Sequence, residues 1–325
     1  MIQFYKKRDF GEMISDTFQF LKLHGKNYFK NYFLINGILL ILMIVIVMIG
    51  YYEFFQQFGG SNLDGETYLF EEYFQDNELT LILVLTVSFI LMLAALIINY
   101  LYPVLYMKRI SETGNTNIKS DEILGDIKKN IGKFFIFFLG ATFIVTPIAA
   151  VLFGISVVLV LIIIGIFLLL LMVPVMANVV NFLLFDYFHT DRGGFFSSLS
   201  YAIRSQFSYS NGRLRSPFWK YWGSWIITYM IVQIVLSIFS FIPYIILMAS
   251  VFTTVEAETD YNENPFGAMG IMFYVVYGIY MLIAFTLMNI IYINAGFMYY
   301  DSRLDLHRNQ DITEIDSIGK NEEIN

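Results

Sequence analysis

Residues Phe134–Phe185 read FFIFFLGATFIVTPIAAVLFGISVVLVLIIIGIFLLLLMVPVMANVVNFLLF, 52 consecutive residues without one charged side chain. As a single helix this run would extend ~78 Å at ~1.5 Å per residue, more than twice the ~30 Å of bilayer hydrocarbon. It must therefore fold back. Both flanks are basic, with Lys128, Lys129 and Lys133 before it and Arg192 after it. Basic flanks remain on one side of a membrane, so the run crosses an even number of times. Two crossings fit, about 135–155 and 162–185, with a tight turn somewhere in 156–163 after Gly154 and Ser156. The turn residues Val157–Val160 are apolar, which suits a turn sheltered by neighbouring helices as well as one in water.

The same logic extends to both ends of the chain. All 20 lysines and arginines fall in four segments, 1–32, 104–133, 186–222 and 300–325, whereas the loops 53–78 and 249–268 carry eleven carboxylates and no basic residue. Further apolar runs at about 33–51, 79–102, 221–248 and 269–292 each approach or exceed the ~20 residues needed to cross. The expectation is an all-α, polytopic membrane helical bundle of six transmembrane helices, with both termini on the cytoplasmic side. Residues 1–308 form one membrane domain, and 309–325 read as a polar, disordered tail. With 57% hydrophobic and 14% charged residues, against about 25% charged in soluble domains, the composition is that of a bilayer protein. The basic residues hug the membrane, so no nucleic-acid partner is implied. The absence of cysteine rules out disulfides, thiolate metal sites and a cysteine nucleophile. Gly50-Tyr51-Tyr52-Glu53 lacks a small-x-small cleavage pattern, so the first span is expected to stay as an anchor.

Three of the basic segments share a plan. Phe10, Ile14, Phe18 and Leu21 recur at helical spacing behind an Asp9/Glu12 capping box, with Gly25 placed as a C-terminal cap. Ile123, Ile127 and Ile131 form a second stripe, with Ser120 as a cap; Phe196, Leu199, Ile203 and Phe207 form a third. Each is followed by basic and aromatic residues and then a span. Near the inner ends of the even spans, Asn99, Asn181 and Asn294 precede Lys108, Arg192 and Arg303 by nine, eleven and nine residues. The expected architecture is thus three parallel α-hairpin repeats, each preceded by an interfacial amphipathic helix. Such a helix either lies in the headgroup layer, apolar face to the acyl boundary, or packs as a connector on the base of the bundle.

Polar residues inside the spans are amides: Asn36, Asn99, Asn178, Asn181, Asn289, Asn294 and Gln233. No Asp, Glu, Lys, Arg or His lies deep in a span, which argues against proton relays and ion-coupled transport. Amides in membrane helices bridge neighbours or line a polar path; Asn99, Asn181 and Asn294 are the candidates. Lys26, Lys30, Lys128, Lys129, Lys133, Arg213 and Arg215 are candidate contacts to anionic headgroups of the lipid bilayer. Tyr28, Tyr32, Tyr100, Tyr102, Tyr106, Trp219, Trp222, Tyr299 and Tyr300 sit at span borders and are expected as interfacial anchors. Asp186, His189 and Asp191, or Asp301, Asp305 and His307, match no zinc motif and read as solvated polar edges rather than metal sites. Loop 53–78 interleaves acids with aromatics, a pattern suited to a partner or weak Ca²⁺ contact, or to aromatics resting on the outer interface. No phosphate loop, nucleophile elbow or nucleotide fingerprint is present, so neither an enzyme nor a cofactor is expected.

The opening Phe10-Gly11-Glu12-Met13-Ile14-Ser15-Asp16-Thr17-Phe18, with its basic stretch and first span, resembles a group of bacterial integral membrane proteins. These are the membrane domain fused to some glycerophosphodiester phosphodiesterases and its relatives of about six spans. The resemblance covers 9–303 and implies a multi-pass protein of the bacterial cytoplasmic (inner) membrane. It carries no phosphodiesterase activity, because this chain has no room for the catalytic barrel. The expected role is a scaffold, assembly or envelope-maintenance component whose partners are lipid and other membrane proteins. The alternative is a passive transporter or lipid-translocating protein with a pathway lined by the inner asparagines.

Overall fold

The computed structural model describes residues 2–61, 78–190, 194–207, 216–256 and 268–320. Every regular element among them is helical: α1 (Phe10–Ser61), α2 (Glu78–Thr113), α3 (Ser120–Gly140), α4 (Thr146–Val158), α5 (Ile164–His189), α6 (Phe195–Phe207), α7 (Phe218–Glu256) and α8 (Ala268–Lys320). A π-helical turn at Ala141–Val145 joins α3 to α4, and a 3-10 turn at Leu159–Ile162 leaves α4. Six stretches are long and apolar enough to cross a membrane: Phe10–Ile46, Glu78–Thr113, Ser120–Ile162, Ile164–His189, Phe218–Ile246 and Val275–Arg303. Each overlaps one of the six expected runs. The last helix runs to Lys320, well into the segment 309–325 read above as a tail.

The charge-free run does fold back inside 156–163. Ile163 adopts φ 68°, a left-handed conformation that is costly for a β-branched residue. Gly165 follows two residues later. A β-carbon there would collide with the Ser156 carbonyl oxygen and the Val160 nitrogen, so the first turn of α5 lies directly against the end of α4. The π-turn precedes Pro147, whose missing N–H removes one backbone bond. Thr146 Oγ1 donates to the Ala141 carbonyl at 3.1 Å within that turn.

Two expected helix boundaries are corrected. The Asp9/Glu12 box is present, with Glu12 N donating to Asp9 Oδ1 at 2.8 Å and Asp9 N to Glu12 Oε2 at 2.9 Å. Yet α1 does not end at Gly25. A glycine C-cap needs positive φ, and among the described glycines only Gly114 has it. The inward face of α1 instead continues through that point at four-residue spacing, with Phe20, His24, Tyr28 and Tyr32 all buried. Ser120 likewise caps nothing; it is the first residue of α3, Lys119 holds the cap position, and the helix runs on through the π-turn into α4. Only α6 is separate from the span that follows it.

The chain forms two compact units. The first comprises Met1–Asn31, Leu101–Met230 and Asn289–Asn325; the second comprises Tyr32–Tyr100 and Ile231–Met288. In the first, α5 is the central element, because every residue from Asn181 to His189 is buried. A helix end buried on all sides needs neighbours on all sides. Here Lys108 of α2 donates to the Phe188 carbonyl at 2.9 Å. Phe137 of α3 packs on Phe188 at 6.3 Å, Phe195 of α6 on Tyr187 at 6.4 Å, Tyr221 of α7 on Phe182 at 5.3 Å and Tyr299 of α8 on Phe185 at 5.6 Å. Gly296 permits the approach of α8: a β-carbon there would press 2.9 Å from the Phe185 ring and 2.5 Å from Met107 Sδ. In the second unit, Tyr32 donates to Asn99 Oδ1 at 2.9 Å and the Asn36 amide reaches Tyr32 Oη at 3.3 Å, tying α1 to α2.

Candidate functional site

The densest polar arrangement in the first unit is centred on Arg8. Residues 2–9 precede α1 as an irregular loop, yet Ile2, Phe4 and Arg8 are buried. The loop winds around the Arg8 guanidinium, which donates to the carbonyls of Gln3 at 2.5 Å, Phe4 at 2.7 Å and Lys6 at 3.2 Å. Its Nε pairs with Asp16 Oδ2 at 2.8 Å, and its plane covers the Phe297 ring at 4.8 Å. Five donors in a fixed fork suit arginine to this role. The Arg8 amide donates to Asp301 Oδ1 at 2.6 Å. The other Asp301 oxygen accepts from Lys220 Nζ at 2.5 Å and from Tyr221 Oη at 2.6 Å. Lys220 also donates to the Arg8 carbonyl at 3.1 Å. Asp301 is fully buried, and this set of bonds satisfies its charge while joining the loop, α7 and α8.

A second polar layer lies in the same helices. Asn294 Nδ2 donates to Thr17 Oγ1 at 3.1 Å and to Ser224 Oγ at 3.0 Å, linking α8 to α1 and α7. Tyr28 donates to Asn289 Oδ1 at 2.7 Å. Tyr106 donates to Asn27 Oδ1 at 2.7 Å and Tyr102 to the Tyr28 carbonyl at 2.5 Å. The tyrosines expected at the headgroup level are thus corrected: Tyr28, Tyr32, Tyr102, Tyr106, Tyr299 and Tyr300 are all 0% exposed. Each ring is large enough to fill a helix–helix gap, and each of these phenol oxygens finds an internal partner. Trp219, 63% exposed, keeps the expected outward position.

Asp186, His189 and Asp301, read from the sequence as solvated polar edges, all prove buried. His189 Nδ1 faces the Phe185 carbonyl at 2.9 Å, which can only accept, so Nδ1 carries the proton. In the neutral ring Nε2 then accepts from Tyr300 Oη at 2.7 Å. Tyr300 Oη lies 3.3 Å from Ser111 Oγ, which donates to the Lys108 carbonyl at 2.8 Å. Tyr299 donates to Asp186 Oδ1 at 3.4 Å and accepts from Arg303 at 2.9 Å. The two faces of α5 and α8 are therefore zipped by phenols and an imidazole. Tyr5, in the N-terminal loop, packs edge-on to Tyr300 at 4.9 Å, and burial raises its pKa above the ordinary phenol value against a lowering by Arg303. Among the described residues no three His, Cys, Asp or Glu side chains converge to hold a metal. Asp191, Arg213, Arg215 and the side chains of Asp305 and His307 lie outside the described residues, as does most of loop 53–78.

The three candidate asparagines are all buried, but they do not form one described set. Asn99 belongs to the second unit, while Asn181 and Asn294 belong to the first. Of the candidate headgroup lysines, Lys26, Lys30, Lys128 and Lys129 are exposed. Lys133 is half-buried, with Nζ 3.4 Å from the Thr190 carbonyl and 5.3 Å above the Tyr187 ring. The amphipathic stripes separate into two behaviours. On α6 the buried residues include Ser198, Ala202, Ser205 and Gln206, while Phe196, Ile203 and Phe207 are exposed. Phe10 and Phe18 of α1 are exposed as well, whereas Ile123 and Ile127 of α3 are buried.

Arg8, Asp16, Lys220 and Tyr221 were not singled out from the sequence, and His189 and Asp301 were weighed there only as metal ligands. One signal was available: Met13, Asp16, Thr17, Phe20 and His24 share a helical face that alternates apolar with polar, the mark of a helix buried beside polar partners. No family model, no curated protein and no solved structure matches this chain.

Proposed function

We propose that this chain is a non-enzymatic integral membrane protein, a scaffold, assembly or envelope-maintenance component that acts through helix–helix and lipid contacts. The reading includes six crossings in the bacterial cytoplasmic membrane, both termini cytoplasmic, and three parallel hairpins, α1–α2, α3/α4–α5 and α7–α8. The observation that carries it is the use of the intramembrane amides. Asn99 bonds Tyr32 within the first hairpin and Asn294 bonds Ser224 within the third, so these groups hold helices together rather than face a route. Interhelical bonds of this kind contribute about 0.6–2 kcal/mol each.

The α6 helix supports the lipid side of the reading. Apart from Phe195, its buried residues are small or polar (Ser198, Ala202, Ser205 and Gln206), while Phe196, Ile203 and Phe207 point away, as suits a helix whose outer side meets lipid. Stacking of Phe207 on Phe218 at 5.5 Å extends that apolar edge toward the exposed Trp219. In a Trp222→Phe/Trp225→Phe background, lipids brominated near the carbonyl should quench Trp219 strongly. A Trp219 emission unaffected by such lipids would reject the interfacial placement. Sidedness is tested separately by single-cysteine labelling, possible without background in a cysteine-free chain. Ser61→Cys should react with an impermeant reagent from outside and Ser120→Cys should not.

A passive polar pathway is the second reading. It is favoured by Asn178 Oδ1, Trp225 Nε1 and Thr228 Oγ1, which are buried without a hydrogen-bond partner. Replacing Asn99, Asn181 and Asn294 together with leucine separates the two: misassembly supports the scaffold, and normal assembly with loss of a transported solute supports the pathway.

A further inference from the structure

We propose that Lys22, Lys26, Lys30 and Lys119 form one binding surface for the headgroup of an anionic glycerophospholipid. The proposal rests on the membrane reading above and narrows it to one edge of α1. Lys22, Lys26 and Lys30 follow one another at four-residue spacing, so they lie in a row on one side of the helix, and all three are exposed. Lys119 is brought beside them by an amide clamp. Asn27 Nδ2 donates to the Ile118 carbonyl at 3.2 Å and Asn31 Nδ2 donates to the same oxygen at 2.8 Å. Each clamp residue immediately follows a lysine of the row, and Ile118 immediately precedes Lys119. Ile118 is itself buried, so the loop is seated and not merely touching.

These four cations lack an internal counter-charge, and unlike the exposed Lys7, Lys128 and Lys129, which share that lack, three of them stand in one row on a single helix. Elsewhere in the first unit Lys6 pairs with Asp16, Arg8 with Asp16, Lys108 with Glu112, Arg109 with Glu122 and Asp126, and Lys220 with Asp301. None of Lys22, Lys26, Lys30 and Lys119 has an ion pair with a described carboxylate. From Thr17 to Tyr52 the sequence offers no Asp or Glu at all. Like charges at four-residue spacing repel and weaken a helix, so the row is stabilised by anions from outside the chain. Lysine ammonium groups at the base of an apolar helix meet lipid phosphates, and each contributes to binding an anionic surface. Phosphatidylglycerol, whose phosphate gives it one net negative charge, is the probe of choice.

The test uses the full chain in a mild detergent, with retained lipid measured by native mass spectrometry against phosphatidylglycerol and phosphatidylcholine. Wild-type protein should retain phosphatidylglycerol in preference. Lys22→Gln/Lys26→Gln/Lys30→Gln should weaken that retention on the order of a hundredfold, taking about fivefold per lysine. The equal-charge control Lys7→Gln/Arg204→Gln/Lys320→Gln, at cations outside the candidate headgroup contacts, should lose about fivefold or less, and Lys22→Arg/Lys26→Arg/Lys30→Arg should restore binding, which shows that the fold is intact. Equal retention of the two lipids by wild type, or equal loss in the two triple variants, overturns the proposal. A chain embedded in membranes that shows no lipid preference sinks this inference alone. Extraction of the chain from membranes by alkaline carbonate would sink the membrane reading itself.

Discussion

Asp301 and Lys220, 81 residues apart, meet at 2.5 Å with the carboxylate side chain 0% exposed. Removing one partner from such a pair leaves a desolvated charge behind, at about 3–5 kcal/mol. Asp301→Leu should therefore lower the unfolding midpoint sharply, and Lys220→Leu in the same molecule should recover part of the loss. Thermal unfolding of the two single variants and the double variant measures the coupling. Strictly additive losses would show that the two residues do not act as a pair.

Asn294 concentrates bonds from α1 and α7 on one amide. Asn294→Leu should cost about 1–3 kcal/mol, since Thr17 and Ser224 are left with fewer partners in a buried layer. Adding Ser224→Ala to that variant should cost little more. If Ser224→Ala destabilises the wild type and the Asn294→Leu variant equally, the bond between them carries no energy.

Gly165 and Gly154 give a paired test of the turn between α4 and α5. Gly165→Ala forces the Ser156 carbonyl away and should destabilise by about 1–3 kcal/mol. Gly154→Ala meets nothing within 4 Å and should be neutral or slightly stabilising in a helix. Comparable unfolding midpoints for the two variants would contradict the close approach of the helices.

The α6 helix has one face for the protein and one for its surroundings. Ala202 is 0% exposed, so Ala202→Leu overpacks the docked face and should lower thermal stability by about 1–3 kcal/mol. Ile203→Ser should leave the unfolding free energy in detergent within about 0.5 kcal/mol of wild type, while moving Trp219 emission to longer wavelength in bilayers. A large loss of stability in detergent would mean that the stripe is buried by protein.

The back-folding of Phe134–Phe185 was legible because it follows from two lengths, that of the run and that of the bilayer, and because charge sets its parity. Helix ends were less legible. Gly25 has the sequence context of a cap, but a cap is a local preference worth about 1 kcal/mol. The continuous buried face from Phe20 to Tyr32 outweighs it. The tyrosines were misplaced for a similar reason: a ring at a span border suits either the headgroup layer or a helix contact. The four-residue steps Tyr28–Tyr32 and Tyr102–Tyr106 could have pointed to the latter. Arg8 was hardest to foresee, since its partners lie at Asp16 and, 293 residues on, at Asp301, and no local pattern announces a bond over that span.

That long reach has a consequence for how the molecule is made. The loop before α1 leaves the ribosome ahead of its carboxylate anchor on α8 and of the Lys220 ammonium, by 293 and 212 residues. Over that interval of synthesis the loop stays unclosed beside the nascent helices. Arg8 can lock the helix ends together only when α8 arrives, so a segment made before every helix settles after them.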